Sequence, residues 1–312
     1  MKPFLRGLAR LSLAANHAVG AFFGRLVFAF SPRYRNRLLE NLGSSGLAPT
    51  RERLREMAKA NAAEIGKSAT ELAWALFRPP EEVVGLVKSR TGWDGVERLR
   101  SQGKSIIFVT PHLGGYDIAG RYLWGALPGA MMVMYRPHKL GWLDRIIREG
   151  RDRGSGPDET HSATATLAGV RKVLKHMRNG GCTIMLPDQV PGVGEGEWVE
   201  FFGRPAYTMT LVGRLQQASD AAVVFYFAER LPKGEGFAVH FHALDKPLPL
   251  DNIGASIKGP LWSLGAIIGD IYSQVTHVYE SSGIGSCCPI TGAEEKEKYR
   301  MDCRNRARAS VC

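Results

Sequence analysis

An α/β fold is predicted, with a mostly buried central sheet flanked by helices and preceded by an N-terminal hydrophobic, basic helix. Two observations carry this. Between residues 106 and 242 short apolar runs rich in β-branched and aromatic side chains alternate with helical stretches, the pattern of strands covered by crossover helices. The first fifty residues set an apolar series beside Lys2, Arg6, Arg10, Arg25, Arg33, Arg35 and Arg37, against the single acid Glu40. No internal repeat or low-complexity linker divides the alternating region. One domain is therefore expected at 45–270, after a membrane-association segment at 1–44 and before an atypical, disordered tail at 271–312.

The apolar series of the first segment includes Leu8, Leu11, Leu13, Val19, Phe22, Phe23, Leu26, Val27, Phe28 and Phe30. A spanning helix needs about 20 mostly apolar residues, and Asn16, His17 and Arg25 interrupt this one. A weak span, a helix lying in an anionic leaflet and a buried N-terminal helix all fit. No small-residue cleavage site marks a removable signal peptide. Residues 47–100 read as helices, including 58–65 and 69–76, ended by Pro79-Pro80. Strands are then expected at 106–110, 131–135, 183–186, 223–227 and 237–242. Helices are expected near 117–126, 139–150, 162–178 and 208–218.

Composition bounds the function. The chain has 312 residues and 44% hydrophobic content, enough for a sizeable core. With 41 Lys and Arg against 30 Asp and Glu the net charge is +11, so the natural partners are anionic. Cys182 is the only cysteine before residue 287, which excludes a disulfide framework there and agrees with a reducing compartment. Cys287, Cys288, Cys303 and Cys312 match no strong zinc spacing, and no metal or other cofactor is expected.

The segment Ile106 to Asp117 carries the chemistry. An apolar strand ends in a turn holding His112, the Gly114-Gly115 pair and Asp117, which opens a helix. A hydroxyl needs a base with a pKa near 7 to become a nucleophile, and histidine starts there. The imidazole in turn needs a carboxylate to set its tautomer and favour the imidazolium. Five positions apart on one helix would face away from each other, so the pairing requires the bend that the two glycines supply. Plain turn capping reads the same residues equally well.

Polar residues also gather at other strand ends, where α/β proteins place their sites. Arg136 follows 131–135, and Asp188-Gln189 follow 183–186 and lead into a glycine-rich loop. Phe201-Phe202-Gly203 reads either as an exposed apolar wall or as core. There is no phosphate-binding loop with lysine, dinucleotide fingerprint or zinc-helix motif. The cations are not interleaved with aromatics as a nucleic-acid platform requires, and no nucleic-acid partner is expected.

Taken in order, the N-terminal segment, Asn36 to Leu42, Thr110 to Asp117, Tyr135-Arg136-Pro137, Leu186 to Gln189 and Phe201 to Ala206 resemble the bacterial lipid A biosynthesis acyltransferases. These are the late or secondary lauroyl and myristoyl transferases, with a broader similarity to glycerolipid acyltransferases. The resemblance implies an enzyme on the cytoplasmic face of the inner membrane. It implies acyl-acyl carrier protein as donor, and as acceptor a hydroxyl on a 3-hydroxyacyl chain of a Kdo-bearing, phosphorylated lipid A precursor. His112 would be the base and Asp117 its acidic partner, where many members have glutamate. Arg136, Asp188, Gln189 and Arg204 would bind substrate or hold the loops, Gly114-Gly115 would offer oxyanion amides, and Phe201-Phe202 would border the acyl channel. A related glycolipid or glycerolipid acyltransferase and a non-enzymatic carrier-protein binder are the alternatives. The region 267–312 departs from the family, ending in a Ser/Gly/Cys stretch and charged runs that fit divergence or a shifted reading frame.

Overall fold

The computed structural model describes residues 2–45, 48–135, 141–151, 162–201 and 204–244. The tail expected at 271–312 lies outside them. In chain order the elements are α1 (Lys2–Arg10), α2 (Leu13–Phe30), α3 (Pro32–Ser44), α4 (Arg51–Phe77), α5 (Pro80–Val84), β1 (Val87–Thr91), α6 (Trp93–Ser101) and β2 (Ile106–Val109). They continue with α7 (Tyr116–Ala126), β3 (Met131–Tyr135), α8 (Gly141–Arg151), β4 (Ser162–Thr164), α9 (Leu167–Arg178) and β5 (Cys182–Met185). The last are β6 (Gly196–Phe201), β7 (Arg204–Met209), α10 (Leu211–Ser219), β8 (Ala222–Arg230) and β9 (Phe237–Ala243).

The sheet order is β1-β9-β8-β2-β5-β3-β4. β2 sits at the centre, parallel to β8 on one side and β5 on the other. All four of its residues are buried, as the unbroken apolar run Ile106-Ile107-Phe108-Val109 requires of a strand covered on both faces. The sheet is mixed, because β9 returns antiparallel beside β8. Phe108, Ile118, Leu123, Met131, Ile184, Val224 and Phe237 belong to the main apolar core between sheet and helices.

The helix starts follow local chemistry. Ser12, Ser31, Thr50 and Thr166 each accept a hydrogen bond from a backbone amide three residues on, capping α2, α3, α4 and α9. α2 and α4 pack antiparallel at backbone contact: a Cβ on Gly66 would fall 2.0 Å from the Gly20 carbonyl oxygen. Only residues without side chains permit that approach.

Three expectations change in detail. β1 lies where only helix was expected, because Lys88, Ser89, Arg90 and Thr91 form an exposed edge strand with no buried face to leave an apolar signature. The helix expected from 162 begins instead at Leu167, after a short parallel strand on β3. The helix expected from 208 begins at Leu211, because residues 196–209 form the β6–β7 hairpin.

Candidate active site

Strand register brings the site together. Val109 of β2 pairs with Met185 of β5, so residues three beyond each, His112 and Asp188, emerge side by side at the carboxyl edge. The Asp188 carboxylate accepts from both the backbone N–H and the ring of His112, Oδ2 to the amide nitrogen at 2.8 Å and Oδ1 to Nδ1 at 2.7 Å. A carboxylate can only accept, so Nδ1 carries the proton and the neutral ring presents its lone pair at Nε2. The Gln189 amide nitrogen lies 3.3 Å from Nε2. The imidazole side chain is 32% exposed.

The short hydrogen bond thus goes to Asp188 and not to Asp117, the acidic partner expected from the sequence. Asp117 sits in the first turn of α7 and acts on the imidazole through its charge. The Asp188 hydrogen bond raises the His112 pKa above the ordinary value; burial opposes this, and the charges of Asp188 and Asp117 reinforce it. Tyr116 stands edge-on to the imidazole, with ring centroids 5.0 Å apart. Burial, the nearby carboxylates and a hydrogen bond with Asp117 hold its phenol protonated far above the usual range.

The turn between His112 and α7 is anchored from below. Gly114 has φ +64°, and a Cβ there would lie 2.0 Å from the Ala228 carbonyl oxygen. The Gly115 N–H donates to that same carbonyl at 3.0 Å. The amide expected at an oxyanion is thus, for Gly115, engaged in holding the turn to β8. The Gly114 carbonyl accepts from Arg230 Nη2 at 2.9 Å.

Arg230 is the hub of a network that no sequence motif marks. From the end of β8 its guanidinium donates to both Glu71 oxygens (2.6 and 2.8 Å), to Glu64 (2.9 Å) and to the Ser68 hydroxyl (2.6 Å), all on α4. Glu71 also receives Nε2 of His17 from α2 at 2.6 Å. Burial pushes the Glu71 carboxyl up, but hydrogen bonds from His17 and Arg230 outweigh it and the net shift is downward. One signal was available in the sequence: Asn16 and His17 interrupt the apolar helix because both are internal partners. The Asn16 amide donates to the carbonyls of Leu8 and Thr70.

Of the remaining candidates, Phe201 and Arg204 pair across the β6–β7 hairpin. Their side chains, with Arg136 and Phe202, lie outside what is described. The loop after Gln189 exposes Val190 and Val193, and the hairpin exposes Trp198. A concavity of about 590 Å³ lined by Lys2, Trp142, Arg145, Ile146 and Glu149 shares no residue with this site. Among the described residues no group of three or more His, Cys, Asp or Glu could hold a metal ion.

A family model for bacterial lipid A biosynthesis acyltransferases matches residues 3–255. The chain belongs to this family. It is 26% identical over 256 residues to lipid A biosynthesis acyltransferase 2 of Shigella flexneri, covering 81% of this chain and 76% of that one. It is 28% identical over 215 residues to the lipid A biosynthesis myristoyltransferase of Escherichia coli K12, covering 67% and 61%. A lipid A biosynthesis acyltransferase of Haemophilus influenzae is 30% identical over 137 residues, covering 44% of this chain and 41% of that one. The matched segments thus span less than two thirds of the length of two of these three relatives.

Proposed function

We propose that this lipid A acyltransferase family member moves a fatty acyl chain from acyl-acyl carrier protein to the hydroxyl of a 3-hydroxyacyl chain on a Kdo-containing lipid A precursor. The observation that supports this best is the imidazole of His112, with Nδ1 held by Asp188 and Nε2 turned to the Gln189 amide. The acceptor hydroxyl gives its proton to Nε2 as its oxygen attacks the thioester carbonyl carbon. Asp188, with the charge of Asp117 behind it, favours the imidazolium so formed. The C–S bond then breaks, and the departing thiolate takes the proton back from Nε2. Transfer is direct, without an acyl-enzyme. Gln189 gives way at Nε2 to the acceptor hydroxyl and then orients it.

The net charge of +11 suits a phosphorylated glycolipid and an acidic carrier protein. Exposed Val190 and Val193, in the loop that follows Gln189, suit a lipid acceptor. The working location is the cytoplasmic face of the inner membrane, where an intracellular carrier protein and a lipid precursor meet.

The test is a transfer assay on the intact chain with carrier protein bearing decanoyl to palmitoyl chains. The tetra-acylated Kdo-lipid A precursor, a lysophospholipid and glycerol 3-phosphate serve as acceptors. Mass spectrometry should find one added ester-linked chain on the Kdo-lipid acceptor. Product on a glycerol-based acceptor alone would shift the reading to a glycerolipid acyltransferase, and no transfer to any acceptor would refute enzymatic function.

A further inference from the structure

We propose that α2 does not cross the membrane but lies in a single anionic leaflet, so that the catalytic domain sits on the lipid surface as a monotopic protein. By length and composition α2 could span: it has 18 residues and a mean hydropathy of 1.3. Its packing argues otherwise. One stripe of the helix, Leu13, Asn16, His17, Gly20 and Phe28, is buried, and it runs along α4 between Ala58 and Glu71. Asn16 meets Thr70, Gly20 meets Gly66 and Gly24 meets Ala62 in antiparallel order. A helix so locked can enter a bilayer only with its partner. In that register the Glu64–Lys67 ion pair of α4 stands level with the middle of α2, while exposed Arg51, Glu52, Arg55, Glu56 and Lys59 flank its carboxyl end, and charges at mid-bilayer depth are strongly disfavoured.

The opposite stripe identifies the occupant. Phe22 is 60% exposed and Phe30 79%, with Phe23, Leu26 and Val27 between them also open. At about 1.5 Å per residue this patch is roughly 13 Å long, too short for a hydrocarbon core of about 30 Å but matched to a helix lying in the interface, its apolar face sunk about 5–10 Å. Exposed Arg25, Arg33 and Arg37 border it, and Arg35 caps the Ala29 carbonyl at 3.1 Å. α3 begins at Pro32 and packs back through Tyr34, Leu38, Leu39 and Leu42 onto the cluster of Phe28, Ala58 and Ala62. An upright α2 would therefore carry these arginines deep into lipid, whereas a flat one sets them at phosphate level. The apolar patch with its cationic border is complementary to phospholipid headgroups of negative charge.

The proposal rests on the acyltransferase reading only in making this surface the place where the acceptor is met; its readouts do not require activity. Full-length protein is floated with vesicles of phosphatidylcholine alone or with one third phosphatidylglycerol, and native membranes are extracted with alkaline carbonate. The expected result is flotation with the anionic vesicles, suppressed by high salt, and release by carbonate. Phe22→Ser/Leu26→Ser/Phe30→Ser should abolish flotation. Arg33→Gln/Arg37→Gln should weaken it roughly tenfold or more. All these positions are exposed, and an unchanged circular dichroism melt will show that the variants fold. Retention after carbonate extraction, equal binding to neutral vesicles, or undiminished flotation of the triple variant would overturn it. Loss of vesicle binding with activity kept on detergent-dispersed acceptor supports the surface and leaves the chemistry intact. Full binding without transfer to any acceptor would count against the function alone.

Discussion

Replacing Asp188 by Asn separates the two carboxylates near His112. The variant keeps an oxygen that can accept from Nδ1, so the ring stays oriented, but it removes the charge 2.7 Å away. A hydrogen bond to a charged partner contributes about 1.5–3 kcal/mol and a neutral one about 0.5–1.5 kcal/mol. If the difference of about 1–1.5 kcal/mol is realised as the imidazolium forms, kcat falls roughly 5- to 13-fold. The pH profile carries the sharper signature. His112 must be neutral to accept a proton, so activity rises with pH through its pKa. That pKa stands above the ordinary histidine value, first because of the Asp188 hydrogen bond. Removing the charge lowers it, and the acid limb of kcat/KM moves to lower pH. Asp117→Asn should move the limb in the same direction but less, because only its charge acts on the ring. Initial rates with acyl carrier protein donor across pH 5 to 9 would read both effects. A larger limb shift in Asp117→Asn, with Asp188→Asn unchanged, would refute the pairing and restore Asp117 as the imidazole's partner.

Two further outcomes test the support beneath the site. Arg230→Ala leaves Glu71, only 1% exposed, without its guanidinium, and should destabilise the protein by about 3–5 kcal/mol. Thermal unfolding would measure this, and Arg230→Lys should recover only part because the fork that bridges α4 and the Gly114 carbonyl is lost; an unchanged melting temperature in Arg230→Ala would count against the network. Gly114→Ala forces a Cβ onto the Ala228 carbonyl at positive φ, so activity should collapse with a drop in stability of at least about 1 kcal/mol, read by activity assay and melt together. Wild-type behaviour in that variant would show that the turn is not held as described.

His112 was legible because its signal is local: a buried strand, two glycines and a helix start lie within twelve residues. The central strands were legible for the same reason, each being an apolar run with turn residues at its ends. The Asp188 pairing was not, since 76 positions separate the two side chains and only the Val109–Met185 register aligns them. Arg230 and Glu71 lie 159 positions apart, and neither belongs to a motif. β1 escaped notice because an edge strand with one polar, solvated side carries no periodic burial. The α2 helix was read correctly as apolar, but Asn16 and His17 looked like flaws in a span when they are the contacts that fix it to α4.

The central claim is that Nε2 of His112 takes the proton of the attacking alcohol. Single-turnover transfer from loaded acyl carrier protein to the Kdo-lipid A precursor, compared between wild type and a correctly folded His112→Ala, tests it most directly. Loss of a general base predicts a rate lower by roughly 10²–10⁴-fold. A His112→Ala rate within a few-fold of wild type would contradict the account.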